Sequence, residues 1–244
     1  MNEIKREGKK HLLTAMEKVG EINTIYDCGS CDAIDGIELY RLMNAKQLHV
    51  FEANPESVKN CRLNLENNLG KSEENRKWFL NDSALSDEVG SINFYPIDTK
   101  NTVTPHPDGN PGASSLLIAN NKYTKEKYVQ NQINISATTI NTYSKSRENP
   151  DCLWLDLQGV ELKVLKAAND VLGGVKLVNV EVFFRQMYND QCLFWELNDF
   201  LTKNSFELFN LDIGRWPKLL SFYRLIGKGP WFGNAIYINK RFVK

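Results

Sequence analysis

The fold is decided by the stretch Thr24-Ile25-Tyr26-Asp27-Cys28-Gly29, an apolar run that ends in an acid beside a glycine. A second run of the same kind, Leu48-His49-Val50-Phe51-Glu52-Ala53-Asn54-Pro55, follows after a helical pattern. Two strands that each end in an acid at a loop are typical of the first half of a nucleotide-binding α/β fold. Gly29 would let the backbone approach a ligand closely, and Glu52 is placed to bind the two hydroxyls of a ribose.

The glycine content of the first loop narrows the choice of ligand. Only one glycine falls on the GxGxxG template that holds a pyrophosphate. The ligand is therefore expected to carry a ribose but no pyrophosphate at this loop. S-adenosylmethionine (SAM) fits that description.

Strand and helix patterns alternate along the chain, which predicts an α/β fold with a mostly parallel sheet. The runs 152–157 and 175–184 are apolar on both faces, as expected of central parallel strands. A leading helix is predicted within about residues 1–20. Neither an internal repeat nor a linker rich in glycine or serine divides the 244 residues, so residues 1–244 are predicted to form a single domain.

The longest irregular segment is residues 98–115, in which proline and glycine recur and no apolar period is present. A loop of this length inside a compact domain is usually functional or disordered. This one is predicted to be a lid over a substrate site. A helix is predicted for residues 122–130, and the alternation of Ile133, Ile135 and Ala137 predicts a strand after it.

Composition excludes some classes of protein. Thirty basic and thirty acidic side chains cancel, which argues against a non-specific grip on nucleic acid and predicts no clear nucleic-acid face. No apolar run reaches the ~18 residues that a membrane span needs, and the polar start of the chain lacks a signal-peptide pattern. A cytoplasmic location is therefore expected, and the oligomeric state is left open.

Acidic or amide side chains lie at or near the ends of five predicted strands. Parallel strands end at the same edge of an open sheet, where ligands bind. A single acid there could simply begin a turn or cap a helix, but the recurrence at several strands favours a binding edge. These residues are Asp27, Glu52, Asn81-Asp82, Asp156 and Glu181.

The five cysteines give little support for a redox or metal site. Cys28-Gly29-Ser30-Cys31 is formally a CxxC pair, but its place at the end of a strand is better explained by ligand binding. No second pair of cysteines or histidines follows at the spacing of zinc ligands. Asp156 together with Asp87 or Glu181 could hold a divalent cation, although nothing in the spacing indicates one.

Several segments are specific in combination. The most telling are Phe51-Glu52-Ala53-Asn54-Pro55 and Asp156-Leu157-Gln158-Gly159-Val160-Glu161, the second of which precedes a helical pattern. Segments 25–30, 84–87 with Gly90, 112–116, and 155–161 with 164–166 complete the set.

Together these segments resemble the FkbM-type SAM-dependent methyltransferases, from about residue 24 to residue 209. The resemblance implies a class I (Rossmann-like) methyltransferase fold, with a mostly parallel seven-stranded sheet whose last strand is antiparallel. It also implies O-methylation, commonly of sugars or natural products, so the expected acceptor is a sugar, a glycan or a glycosylated small molecule.

The resemblance assigns cofactor roles to residues at matching positions. Asp27 and Gly29 match the first loop. Glu52 matches the ribose acid, and Asp156 matches the acid beside the transferred methyl group. The predicted cofactor-binding residues are Asp27, Gly29, Ser30, Glu52, Ala53, Asn81, Asp82, Ser83 and Asp156.

The chain also departs from the family's pattern. Ala33 stands where a second glycine is usual, and Gly36 follows too late to replace it directly. Ser30-Cys31 replaces the usual pair of a small residue and an asparagine. Because alanine is small, SAM binding is still predicted. Asn234 stands where an aspartate is expected and is assigned no role.

The expected chemistry follows from the cofactor. The sulfonium makes the methyl group electrophilic, so transfer is an in-line displacement by a hydroxyl oxygen held close to it. A base must take the hydroxyl proton. The candidate catalytic residues are Asp156, which its position favours, Glu181 and His106.

Predicted acceptor contacts lie near the same strand ends. Gln158 and Glu161 could orient the acceptor, although Glu161 could instead only satisfy amides at the start of a helix. The predicted substrate-binding residues are Ser114, Ser115, Gln158, Glu161 and Arg185. A sugar platform could be built by Arg185, Tyr188, Trp216, Lys218 and Trp231, and ordinary packing of the C-terminal segment is the alternative.

Three other functions stay open. A nucleic-acid (RNA) methyltransferase is disfavoured because Asp156-Leu157-Gln158-Gly159 replaces the Asp-Pro-Pro-Tyr type of motif. A SAM-binding module without catalysis is suggested by Ala33. An NAD-binding oxidoreductase would need the glycine fingerprint that this chain lacks.

Overall fold

The computed structural model describes residues 3–71, 77–213 and 229–244. In these ranges no helix has both the length and the apolar character needed to cross a membrane. The helices are α1 (Glu3–Val19), α2 (Ile34–Leu42), α3 (Pro55–Leu69), α4 (Ile140–Ser144), α5 (Glu161–Lys166), α6 (Asn169–Leu172) and α7 (Phe194–Lys203). The strands are β1 (Thr24–Cys28), β2 (Gln47–Phe51), β3 (Trp78–Asn81), β4 (Ala84–Leu85), β5 (Gly90–Phe94), β6 (Ile133–Thr138), β7 (Cys152–Leu155), β8 (Leu177–Phe183), β9 (Phe206–Asp212) and β10 (Phe232–Asn239).

The main sheet has seven strands in the order β3-β2-β1-β7-β8-β10-β9. Neighbours from β3 to β8 pair in parallel, whereas β10 is antiparallel to both β8 and β9. The predicted α/β class, the mostly parallel seven-stranded sheet and the antiparallel last strand are therefore confirmed.

The central strands are buried because apolar layers cover both faces of the sheet. Every residue of β1 is buried. In β8, Val178, Val180 and Val182 belong to the apolar layer that also contains residues of α5 and α7. Leu177 belongs to the layer on the other side, which contains residues of α1 and α2. This alternation explains why the strand is apolar at almost every position.

The order of the strands places a crevice next to β1. From β1 the sheet grows through β2 and β3 in one direction, and through β7 and β8 in the other. Such a reversal opens a crevice at the carboxyl ends of the strands. Because Cys28 of β1 pairs with both Phe51 of β2 and Leu155 of β7, the loops that follow these strands begin at the same level.

A three-stranded sheet in the order β4-β6-β5 lies beside the main sheet. Strand β6 corresponds to the predicted strand around Ile133, and it pairs antiparallel with β5 and parallel with β4. Strand β4 consists of Ala84 and Leu85, a run too short for a sequence pattern to reveal. Both residues line the crevice.

The predicted helix at residues 122–130 is wrong, because this segment is extended. A backbone bridge joins Val103 to Lys127. The side chain of Asn121 also fixes the segment in a non-helical form, since its Oδ1 accepts from Tyr128 N at 2.8 Å and its Nδ2 donates to Tyr128 O at 3.1 Å. These bonds override the local helical pattern.

Residues 98–115 are irregular, as predicted, except for a 3-10 turn at Pro111–Ala113. The buried carboxylate of Glu126 organises the segment, because its Oε2 accepts from Thr104 Oγ1 at 2.8 Å and from Asn110 Nδ2 at 2.9 Å. The segment carries residues 111–115 to the crevice. Its role as a lid, like the assignment of the chain to a single domain, stays a prediction.

Candidate active site

A cleft lies at the carboxyl ends of β1, β2 and β7, with about 500 Å³ of free space that is partly open to solvent. Residues of β4, β5 and 111–116 complete its walls. The predicted site residues that line it are Gly29, Glu52, Ala53, Ser83, Ser114, Ser115 and Asp156.

Gly29 is required by the close approach of two loops. Its φ is +85°, and a Cβ at this position would lie 2.0 Å from the carbonyl oxygen of Asp156. The amides of Gly29 and Ser30 donate to Phe51 O at 2.9 and 3.1 Å. The first loop is thereby fixed between the ends of β2 and β7, and no side chain larger than hydrogen fits there.

Asp27 ends β1 inside the protein, where 1% of its surface is exposed. Its Oδ2 accepts from Ser30 Oγ. A Cβ on Gly36 of α2 would lie 2.3 Å from the same oxygen, so this glycine allows α2 to pack against the acid. The sequence offered no role for Gly36. Burial raises the pKa of Asp27 to about 7.

Ala33 adopts a backbone conformation that favours glycine. It precedes α2 with a φ of 67° and is fully buried. The position at which the family resemblance leads one to expect glycine is therefore left-handed in this chain as well. Alanine keeps the same turn at the cost of backbone strain.

Replacing Ala33 with glycine is expected to raise the free energy of unfolding by about 0.5–1 kcal/mol. A left-handed backbone costs an L-residue about 1–2 kcal/mol, and the greater freedom of glycine in the unfolded chain offsets part of the gain. Chemical denaturation measures the difference. The matched control is Ala15→Gly, an equally buried alanine within α1, which should lose about 1 kcal/mol. A loss of stability in both variants would contradict the prediction.

Glu52 directly follows β2 and is held by two backbone amides. Its Oε2 accepts from Cys31 N and its Oε1 from Asn54 N, both at 2.7 Å. Burial still raises its pKa above the ordinary value. Each carboxylate oxygen has a second lone pair, so Glu52 can also accept from hydroxyls of a ligand in the cleft that it lines.

The predicted cofactor-binding residues 81–83 differ in their positions relative to the cleft. Ser83 lines the cleft together with the apolar side chains of Leu85 and Phe94. Asn81 Oδ1 accepts from Ser83 N at 2.8 Å and shapes the turn. Asp82 is exposed and is not among the lining residues.

Asp156 and Glu181 come together across the neighbouring strands β7 and β8. Gln158 Nε2 donates to Asp156 Oδ1 at 2.6 Å and to Glu181 Oε2 at 2.7 Å. Burial raises the pKa of both carboxyls, and the nearby charge of Asp156 raises the pKa of Glu181 well above its ordinary value. The pKa of Glu181 is thus the more strongly raised of the two. Asp156 lines the cleft, whereas Glu181 is not among the lining residues.

Glu161 is buried at the start of α5, where 1% of its surface is exposed. Its Oε1 accepts from Leu157 N at 2.9 Å, and both of its oxygens lie 3.1 Å from Gly159 N. The carboxyl thus satisfies amides of the loop before the helix, which is the alternative that the sequence left open. Burial raises its pKa to about 7.

The unliganded protein is expected to lose stability as the pH rises from about 4 to about 7. The pKa values of Asp27 and Glu161 rise from 3.8 and 4.5 to about 7 on burial. The folded chain therefore binds more protons in this interval, and its free energy of unfolding falls by several kcal/mol as these protons leave. Denaturation at pH 5 and pH 7.5 measures the change. Asp27→Asn should reduce this change in the free energy of unfolding, and an unaltered pH dependence in the variant would contradict the raised pKa of Asp27.

Ser114 and Ser115 line the cleft but use their hydroxyls inside the protein. Ser114 Oγ donates to Pro111 O at 2.7 Å and accepts from Ile97 N at 3.0 Å. Ser115 Oγ donates to Gln158 O at 2.8 Å. The two serines therefore fasten the end of segment 98–115 to the rest of the site.

The structure does not bring His106 to the cleft. This residue is exposed, its amide donates to Thr104 Oγ1 at 3.2 Å, and it does not line the cleft. A role for His106 as the base therefore has no geometric support.

Two of the side chains considered for a sugar platform lie close to each other. The Arg185 guanidinium lies 5.3 Å from the centre of the Trp231 ring, and neither residue lines the cleft. Tyr188 is fully buried and contacts protein groups instead. Trp216 and Lys218 lie outside the described residues.

Cysteine and metal chemistry gain no support from the geometry. Burial raises the pKa of Cys31 to about 12, and Cys28 is fully buried. In the described ranges, no group of three or more His, Cys, Asp and Glu side chains is placed to hold a metal ion. Asp87, which the sequence considered as a ligand with Asp156, instead pairs with Lys163 at 2.9 Å.

Comparison with protein families identifies one match. The model of the methyltransferase FkbM domain matches residues 27–208. This span begins at Asp27, ends in β9, and includes the loops that carry Gly29, Glu52 and Asp156. Three quarters of the chain are therefore covered by one family.

Individual proteins agree with the family match. The chain is similar to the 2-O-methyltransferase NoeI of Sinorhizobium fredii (strain NBRC 101917 / NGR234), at 24% identity over 207 residues that cover 82% of this chain and 77% of NoeI.

Among solved structures, the chain is similar to methyltransferase FkbM from Methylobacillus flagellatus KT. The TM-score is 0.53 at 10% identity, over 89% of this chain and 43% of that one, so this chain spans less than half of its length. The methyltransferase domain of bacterial-CtHen1-CN gives a TM-score of 0.50 at 8% identity, over 96% and 99% of the two chains. At these identities the likeness shows a shared fold.

Proposed function

Because this chain belongs to the FkbM methyltransferase family, we propose that it transfers the methyl group of SAM to a hydroxyl of a sugar, a glycan or a glycosylated small molecule. Family membership makes it a SAM-dependent methyltransferase. The oxygen acceptor, the sugar class and the cytoplasmic location are the proposed part.

The choice of a hydroxyl as the acceptor rests on Asp156, which lines the cleft, and on its partner Glu181. Asp156 and Glu181 meet at the ends of adjacent strands, joined by the amide of Gln158. A hydroxyl must lose its proton as it is methylated, and a positioned carboxylate can accept that proton. The name of NoeI, a 2-O-methyltransferase, supports the same acceptor atom.

The cleft has the features that SAM requires. Gly29 lines the cleft without a side chain, so a ligand can approach its backbone closely, and Glu52 offers carboxylate oxygens at the position of a ribose acid. Ser83, Leu85 and Phe94 offer a largely apolar slot for adenine. A ligand with positive charge would also relieve the crowding of buried acids at this edge.

The residues around the cleft divide the chemistry between them. When bound, SAM supplies a methyl group made electrophilic by its sulfonium. The Asp156 carboxylate accepts the proton of the acceptor hydroxyl while the new C–O bond forms and the C–S bond breaks. The protonated Glu181 stabilises the charge on Asp156 until that proton arrives. The segment that carries Ser114 and Ser115 limits the access of water.

RNA methylation is the second candidate, and the charges of the cleft argue against it. Of the acids at this edge, Glu52 and Asp156 line the cleft, and in their ionised forms they would repel the phosphates of a nucleic-acid backbone. A module that binds SAM without catalysis would use the same first loop but would transfer no methyl group.

Calorimetric titration with SAM tests the cofactor site. Glu52→Gln is expected to weaken SAM binding by about 10- to 100-fold, because the side-chain amide cannot accept from both backbone donors and from a ribose as well. The matched control is Glu56→Gln on α3, whose exposed carboxyl pairs with Lys59. Equal affinities of the two variants would remove Glu52 from the site.

An acceptor screen tests the proposed reaction. Wild-type protein with methyl-labelled SAM is offered free sugars, glycosides, oligosaccharides, aglycone natural products and RNA. Label is expected in a sugar-bearing compound, at an oxygen that mass spectrometry can locate. Label in RNA alone would replace the proposal with the second candidate, and SAM binding with no transfer to any class would favour a module without catalysis.

A further inference from the structure

The carboxamide of Gln158 lies between the carboxyl of Asp156, which lines the cleft, and that of Glu181. Its two Nε2 hydrogens have one acceptor each, on Asp156 and on Glu181. The backbone of Gln158 has a φ of 53°, a left-handed conformation that costs energy and persists only where the surroundings hold it. One such restraint is the bond from Ser115 Oγ to Gln158 O.

Tyr188 determines which way that carboxamide faces. Its side chain is fully buried, and its Oη lies 2.9 Å from Gln158 Oε1 and 2.8 Å from Ala113 O. The single phenol hydrogen lies between these two acceptors, so Gln158 Oε1 faces Tyr188 and the NH2 group of the amide is turned toward the carboxyls. The opposite orientation would place Gln158 Oε1 against the oxygens of Asp156 and Glu181, where an ionised Asp156 has no proton to offer it and would repel it.

We infer that Tyr188 and Gln158 are positioning residues: Tyr188 orients the carboxamide of Gln158, which holds Asp156 and Glu181 together with one of them ionised. The effect of this positioning on catalysis rests on the proposed function, whereas the positioning itself can be tested without any reaction. Both ends of the Gln158 amide are occupied by protein groups, so this residue differs from the acceptor contact that the sequence predicted.

The ionisation of the pair depends on groups from several elements. Burial disfavours the charged form of each carboxyl. Asp35 of α2 raises the pKa of Asp156 further, and Glu161 of α5 does the same for Glu181. The NH2 group of Gln158 acts in the other direction, because a donor stabilises a carboxylate. The other titratable groups that face the pair are Asp27 on β1, Glu52 after β2, Tyr128 and Tyr188.

Titration of the ligand-free protein by carboxyl 13C NMR tests the inference without any acceptor. Signals of labelled Asp and Glu are assigned with Asp156→Asn and Glu181→Gln. Gln158→Leu is expected to raise the pKa of the ionised carboxyl by roughly one pH unit, and Tyr188→Phe should raise it by less, in the same direction. Because Tyr188→Phe removes a single oxygen atom, it decides the test should Gln158→Leu fail to fold.

The matched control is Tyr26→Phe. The Tyr26 hydroxyl is also buried and bonded, to Glu148 O at 2.7 Å and to Ser144 Oγ at 3.2 Å, but neither partner belongs to the cleft. Its loss should leave the carboxyl titration unchanged. A titration of Tyr188→Phe that superimposes on the wild type, or an equal shift in Tyr26→Phe, would overturn the inference.

Kinetics separate the inference from the proposed function. With an acceptor that the wild type methylates, both cleft variants should lower kcat by roughly 10-fold near neutral pH, leave the KM for SAM unchanged and move the acidic limb of the pH profile upward. A shifted NMR titration with no methylated hydroxyl would reject the proposed function and keep the positioning. Normal methyl transfer with an unshifted titration would keep the proposed function and reject the positioning.

Discussion

Gly29→Ala should reduce SAM affinity by at least about 100-fold, an expected loss of more than ~2.7 kcal/mol of binding free energy. The added methyl group would lie 2.0 Å from Asp156 O, a backbone atom, at a φ of +85°. The carbonyl is restrained because Leu157 N, in the same peptide plane, donates to Glu161 Oε1 at 2.9 Å. The loop must therefore move into the cleft or lose its bonds to Phe51.

Calorimetry and thermal melting together separate the loss of binding from a loss of fold. The free energy of unfolding of Gly29→Ala should fall by at least about 2 kcal/mol, from left-handed strain and the clash. Gly174→Ala is the control, because its Cβ would meet Val171 O at an ordinary 3.5 Å, away from the cleft. Wild-type affinity in a folded Gly29→Ala protein would show that SAM binds elsewhere.

Asp156→Asn should abolish methyl transfer while the cofactor still binds. The substitution keeps the shape of the side chain but removes the charge that would accept the hydroxyl proton. A lost general base costs about 100- to 10,000-fold in kcat. The affinity for SAM, measured by calorimetry, should stay within roughly threefold of the wild type. Unchanged turnover of an acceptor would exclude Asp156 as the base.

Glu181→Gln tests which of the two carboxyls accepts the proton. If Glu181 is the protonated partner of the pair, a glutamine can accept from Gln158 Nε2 and donate to Asp156 in its place. We therefore expect this variant to lose less than about 10-fold in kcat. The reverse result, a severe loss in Glu181→Gln and a mild one in Asp156→Asn, would assign the base to Glu181.

The architecture could be predicted because it depends on local patterns. Apolar runs identified β1, β2, β7 and β8, and an acid at or near the end of each run identified the edge where they end. Segment 122–130 misled the prediction because its non-helical form depends on a backbone bridge from Lys127 to Val103, which is distant in sequence. A pattern read within one segment carries no information about such partners.

The cleft could be predicted only in part for the same reason. Gly29 and Glu52 follow from position in the fold, but the packing of Gly36 against Asp27 depends on the path of α2. The left-handed φ of Ala33 could be predicted from the sequence, because the family resemblance leads one to expect a glycine at this position. The catalytic, cofactor-binding and acceptor-binding roles themselves stay predictions until the variants are measured.

The bond between Ser115 and Gln158 couples two loops that lie far apart in sequence. Ser115 belongs to the segment that lines the cleft, and its hydroxyl donates to the carbonyl oxygen of Gln158 at 2.8 Å. Loss of this bond would remove one restraint on the left-handed backbone of Gln158, whose amide joins Asp156 and Glu181. A change in one loop is therefore expected to change the acidity of the carboxyls that the other loop contacts.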